Sequence, residues 1–479
     1  MRGQARNFEN IATCQVEGRK SRRISEVLAL ASATMLTVAS PAAATTQEEL
    51  VRLLKAQAAE LKALRGEVEA LKRARSVPVQ APATAKGGRP APAHADDKSL
   101  AERFVEKGRK PRTFRVPGTD IDARIYGFAK ADFISRVNGQ TSGAEDLFAT
   151  NAIVVKGGAL RGTDARNRVH ARESRLGFEF GRPTSYGDFK AVIEADFFGA
   201  GGNQILSNSD TYRLRHAYGE IGPVLAGQFW STVMDPNAIP NTLDFQGSAG
   251  YTFIRQAQFR YTHKFEGGHS LAFAVENPES RVLNIGATTA VSARDNNIPD
   301  FVLRGRTEQA WGTLQAALLV RNISGGTGRG FETAVGGSVH GRINVPFLGP
   351  KDNIVFQGIY GRGIGRYIQD VAGGSADAVI NPATGRVELL TSYGGYIGFQ
   401  HFWLDNLRST ILFSATNVET RAFQPNASYR GAYYSAANLI WSPVPEVDLG
   451  MEVQWGQRIN RDGNRGEALR VQSSAKYTF

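Results

Sequence analysis

The chain has 479 residues, 42% of them hydrophobic and 52 of them Gly, with a formal net charge of +12. It is too apolar and aromatic for a disordered protein, and its body holds no run of roughly 20 apolar residues, which argues against transmembrane helices. The basic residues are scattered through strand-like segments, which argues against a nucleic-acid partner, and the single cysteine, Cys14, leaves no thiol chemistry if the N-terminus is removed.

In chain order, residues 1–44 predict a secretory signal. Arg19, Lys20, Arg22 and Arg23 are followed by an apolar run from Val27 to Ala39, and Ala42-Ala43-Ala44 makes a small-residue cleavage site. Residues 45–75 predict a coiled-coil oligomerisation segment. Leu50, Leu54, Gln57, Leu61, Leu64, Val68 and Leu71 alternate at spacings of four and three, with Glu60, Arg65, Glu67 and Lys72 placed to pair between parallel helices. A homotrimer is expected, with a helix lying on its own barrel as the alternative. Residues 76–119 form a Pro/Ala-rich linker and barrel lead-in, in which Leu100 to Pro117 is basic and ambiguous, with a short helix as one option.

From 120 to 479 the texture becomes period-two. Tyr126, Phe128, Lys130 and Asp132 share one face while Gly127, Ala129, Ala131 and Phe133 share the other. Phe189, Ala191, Ile193 and Ala195 oppose Lys190, Glu194 and Asp196, and Met451 and Val453 oppose Glu452 and Gln454. An apolar face and a charged face, repeated, predict an all-β transmembrane barrel with lipid outside and water inside. Short turns at 182–187, 220–223, 265–269, 403–406 and 442–446 alternate with long polar stretches at 136–166, 200–210, 277–299 and 362–386. The count is about 16 antiparallel strands, at about 22 residues per strand and connection.

Parity turns Arg124, Lys130, Arg175, Lys190, Arg213, Arg215, Arg260, Arg304, Arg306, Arg321, Arg342, Arg408, Arg470 and Lys476 inward. The acids sharing that face are Asp132, Glu173, Glu179, Glu194, Asp196, Glu276 and Glu452. The positive excess would draw small anionic solutes. The segment after Trp230, carrying Asp235, Asn241, Thr242 and Asp244, is the expected constriction loop; Arg213, Arg215 and Arg260 would approach it, and Arg470 and Lys476 would lie towards the wide mouth. His216, His263, His340 and His401 lack metal-ligand spacing, His216 and His401 fall on the outward parity, and no Ser has a G-x-S-x-G context, so no enzyme activity, metal or cofactor is expected.

The stretches IYGFAKADF, ARESRLGFEF, LRHAYGEIGPVLAGQFWSTVMD, PNTLDFQG, FIRQAQFRYTH, GIGRYI and NLIWSPVPEVDLGMEVQWGQR, in this order behind a coiled coil, resemble the DcaP-like porins of proteobacterial outer membranes. The resemblance implies a homotrimer of 16-stranded barrels in outer-membrane lipid, a periplasmic coiled coil, and passage of anionic or dicarboxylate-type solutes. Tyr477 and the terminal Phe479 resemble the signal read by the barrel assembly machinery. The alternatives are a general non-selective porin, a trimeric adhesin or tether, and a barrel enzyme.

Overall fold

The computed structural model describes residues 106–139, 146–155, 166–203, 207, 209–285, 296–326 and 328–479. The expected signal, the coiled coil with Leu50, Leu54, Gln57, Leu61, Leu64, Val68 and Leu71, and the linker up to residue 105 lie outside the described residues.

Sixteen antiparallel strands close into one barrel. They are β1 (Asp122–Asn138), β2 (Arg175–Thr184), β3 (Gly187–Asp196), β4 (Arg213–Ile221), β5 (Val224–Trp230), β6 (Arg255–Lys264), β7 (His269–Glu276) and β8 (Asp300–Gln309). The second half comprises β9 (Gly312–Ser324), β10 (Phe331–Asn344), β11 (Asn353–Arg362), β12 (Thr391–Leu404), β13 (Leu407–Val418), β14 (Tyr429–Val444), β15 (Val447–Asn460) and β16 (Arg465–Thr478). Each strand pairs with its sequence neighbours, and β16 returns to β1 with Lys476 opposite Lys130 and Ser474 opposite Asp132. Closure leaves none of the sixteen barrel strands as a free edge, as a lipid environment demands. Arg166–His170 extends the ladder beside the upper part of β1, and a three-stranded sheet of Val282–Asn284, Ala378–Ile380 and Val387–Leu389 lies in the long connections.

The two faces are inverted relative to a water-soluble barrel. Outward positions are large and apolar, with Phe259 70% and Ile411 64% exposed, whereas the inward Asp132, Ser414 and Gln454 are fully buried. Such an apolar exterior has its place only against lipid. No helix among the described residues is long and apolar enough to cross a membrane. The described part of the ambiguous stretch Leu100 to Pro117 forms paired strands and not a helix. Glu106–Lys107 pairs antiparallel with Phe114–Arg115, which pairs with the start of β1, and Arg109 and Arg115 both reach the buried Asp122 carboxylate.

Candidate functional site: the barrel interior and its inward loop

The β5–β6 connection, residues 231–254, does not stand up from the rim. Its backbone is bonded to the inner wall over much of the barrel. Glu276 of β7 accepts from Ser231 Oγ at 2.7 Å and from Thr232 N at 2.7 Å. Glu452 of β15 accepts from Leu243 N at 2.7 Å and Asp244 N at 3.2 Å. Gln357 Oε1 of β11 accepts from Thr252 N at 3.0 Å, and Tyr396 of β12 donates to Ala238 O at 2.8 Å. Buried backbone groups need such partners, and here wall side chains supply them.

The loop residues singled out in the sequence take different places. Asp235 is buried, bonds Asn237 N and pairs with Arg306 at 2.5 Å. Asp244 is buried and pairs with Arg470 at 2.6 Å. Asn241 is exposed, and its carbonyl accepts from Asn438; Thr242 bonds Asp244 O. The two acids are therefore clamped to wall arginines. Arg470 corrects an expectation: it lies against the loop rather than at the wide mouth, because β16 begins at the long-loop rim and Arg470 is only five positions in.

The inward cations divide into two sets. In the first, each has a carboxylate. Lys130 pairs with Glu173 at 2.6 Å and Asp132 at 3.2 Å and donates to Leu243 O. Arg213 pairs with Asp196 at 2.7 Å, and Arg215 bridges Glu194 at 2.7 Å and Asp196 at 2.8 Å. Arg175 approaches Glu194 at 3.5 Å, and Arg306 also reaches Glu308 at 2.8 Å. Lys190 faces Glu179 at 3.7 Å; Arg408 and Lys476 share Asp448. Arg321, fully buried, joins Asp300 and Asp377 at 2.9 and 3.0 Å, so it fastens the 277–281 and 363–377 segments rather than lining open water.

The second set has no acid. Among the described residues, Arg255, Arg260 and Arg304 make no ion pair, and each leaves a guanidinium nitrogen without a hydrogen-bond partner. Arg255 lies 4.8 Å over Trp230 and 5.3 Å over Phe253, and Arg260 lies 5.4 Å over Phe229. Arg260 and Arg304 sit opposite Ala274 and Ala272 of β7, two small residues that leave the space between them open. Arg124, stacked on Tyr126, and Arg342, exposed, also lack an ion pair among the described residues. A hollow of about 440 Å³, lined by Asp235, Asn237, Arg304, Arg306 and Gln315 among others, opens below the loop.

Two residues escape parity. A bulge between Glu194 and Ala195 makes Arg215 an extra residue on β4, so His216 turns inward, buried against Phe229 and Trp230, contrary to its expected outward position. Arg255 is the first residue of β6, where its outward parity is overridden by stacking on Trp230. The only sequence signal for it is the FIR triplet directly behind an aromatic-rich loop. His401 does sit at the short-turn rim, beside Phe399 and Trp403 and bonded to Asp352 at 2.6 Å.

A sequence profile described as DcaP outer membrane protein matches residues 118–479. Among solved structures, the outer membrane channel DcaP of Acinetobacter baumannii shares 24% identity over 75% of this chain and 97% of its own, with a TM-score of 0.65. OmpF of Salmonella typhi, solved with daunomycin, shares 12% identity over 75% of this chain and 98% of its own at a TM-score of 0.49. OmpT of Vibrio cholerae shares 10% over 76% of this chain and 99% of its own at 0.46. No curated protein sequence matches.

Proposed function

The chain belongs to the DcaP outer membrane protein family, and on that premise we propose that it is a passive diffusion channel for small hydrophilic solutes that favours anions, carboxylates and dicarboxylates among them. The observation that carries the reading is the set of unpaired interior cations, Arg255, Arg260 and Arg304. An acid-paired arginine presents a dipole, whereas an unpaired guanidinium in a low-dielectric wall presents a charge and a planar fork matched to a carboxylate. The rings under Arg255 and Arg260 hold these forks without neutralising them.

The test is reversal potential under a KCl gradient across a bilayer holding the purified protein. Anion selectivity is expected, weakening as the Debye length falls from about 10 Å at 0.1 M salt to about 3 Å at 1 M. A cation-selective channel overturns the anion reading, and no conductance overturns the channel. Dicarboxylates should block the current more strongly than monocarboxylates, since Arg260 and Arg304 flank the same strand.

The working assembly in this reading is a homotrimer. Residues 1–44 are removed, 45–75 form a periplasmic coiled coil, and 76–119 link it to the barrel at 120–479. Tyr477 and Phe479 address the chain to the barrel assembly machinery. Both rings are exposed at the end of β16, where such a reader would reach them.

A further inference from the structure

The outer wall is not uniformly filled. Across β11, β12 and β13 three small residues stand side by side on the outward face: Gly358 is opposite Gly395, and Gly395 is opposite Ala415. In the next row towards the loops, Tyr360 faces Tyr393 with ring centroids 6.4 Å apart. In the row on the other side stand Ile397 and Phe413, paired with each other. Val339 and Tyr433 close the ends. The result is a basin of about 750 Å³ sunk into an apolar wall. A Cβ built on Gly358 would meet nothing within 4 Å, so the glycine leaves space rather than relieving a clash.

The charges lie at one end. Arg362 is exposed two residues beyond Tyr360 on the same strand, and Arg430, exposed, adjoins Gly431 at the basin margin. Arg430 has no ion pair among the described residues, and Glu419 is the acid in the field of Arg362. The margin therefore carries a net positive charge at the loop-side rim, where a headgroup would lie, above an apolar hollow continuous with the lipid-facing wall.

We propose that this basin is a built seat for the acyl chain of an anionic lipid. Its floor is the outer side of the wall that carries the inward loop. Gly250 packs so closely inside Gly395 that a Cβ there would lie 2.3 Å from Gly395 N. An ordered lipid would thus brace the wall behind the constriction.

The experiment reconstitutes the full protein into phosphatidylcholine vesicles containing phosphatidylglycerol spin-labelled on its acyl chain. The readout is the motionally restricted lipid fraction. Wild type should hold labelled phosphatidylglycerol in preference to labelled phosphatidylcholine. Gly358→Phe, which fills the basin, should abolish most of that preference. Gly305→Phe, on an outward position of β8 that is equally open, should leave it unchanged. Arg430→Glu, which has no partner to lose, should reduce retention of the anionic lipid alone, and it keeps the test decisive where Gly358→Phe fails to assemble. Equal restriction in wild type, Gly358→Phe and Arg430→Glu overturns the proposal. So does equal retention of both lipids, or a disulfide between copies through Ile397→Cys, which would put a second copy in the basin.

Discussion

Arg321 and Arg255 both stack on a ring inside the barrel, Tyr367 at 5.1 Å and Trp230 at 4.8 Å, yet their removal should have opposite consequences. Arg321→Ala leaves Asp300 and Asp377, both fully buried, without their cation. Breaking a buried pair on one side costs about 3–5 kcal/mol, so the variant should lose its folded gel mobility at a lower temperature than wild type. Alanine at Arg255, Arg260 and Arg304 strands no acid. That triple variant should keep the wild-type unfolding temperature while losing most of the carboxylate block. Substituting Lys476, which is paired with Asp448 at 2.8 Å, should leave the block nearly intact. Parity alone reached Arg260 and Arg304, because the pleat fixes which side a strand residue faces. It missed Arg255 and misdirected His216, because it presumes an unbroken ladder, and a bulge or a strand end breaks that presumption.

Among the elements, the 231–254 loop turns a wide barrel into a narrow one. Gly250→Val would drive a side chain into the Gly395 backbone. The loop should unseat, and single-channel conductance should rise with carboxylate block reduced. A second inward connection, 363–390, carries Asp370, whose carboxyl is pushed up to about 7 by burial against the bond from Thr150; Asp244 acts in the same direction and Arg458 against it. The folded form therefore keeps a proton that the unfolded chain, with a carboxyl near 3.8, has lost. The stability of this packing falls as pH rises from about 4 to about 7. Protection of the 363–377 amides, taken relative to the intrinsic exchange rate at each pH, should fall over that window, and Asp370→Asn should flatten the dependence. An inward course was expected for 231–254 but not for 363–390. A segment with Asp235 and Asp244 announces an inward loop only through partners such as Glu452, 209 residues away from Leu243. Nothing local encodes that separation.

For the molecule as a whole, the alternation of short turns and long connections was readable because each hairpin is a local event. The eight connections opposite the short turns lie at the other rim from the start of β1 and the end of β16. Surface tags at 200–203 should therefore label on intact cells while a tag at 403–406 stays dark; the reverse pattern would invert the orientation. The proposed trimer is tested on residues 47–73 alone by analytical ultracentrifugation, where a monomer at high concentration removes the coiled coil. The lead-in was ambiguous in the sequence for a plain reason. A short basic segment with no apolar period takes its structure from what it docks on, here Asp122 at the mouth of β1.

The seam between β16 and β1 has a consequence in time. Asp132 meets Gln472 across 340 residues of chain, so the contact that ends the barrel is also among the most remote in sequence. Until the last strand arrives, β1 and β15 each offer a bare ladder of amides and carbonyls, to which the strand of any neighbouring chain can bind. Closure of such a non-local contact is slow. The nascent protein therefore spends its vulnerable period as an open sheet, and a chain truncated before residue 465 would never leave it. Loss of the final strand should thus yield an aggregate rather than a leaky pore.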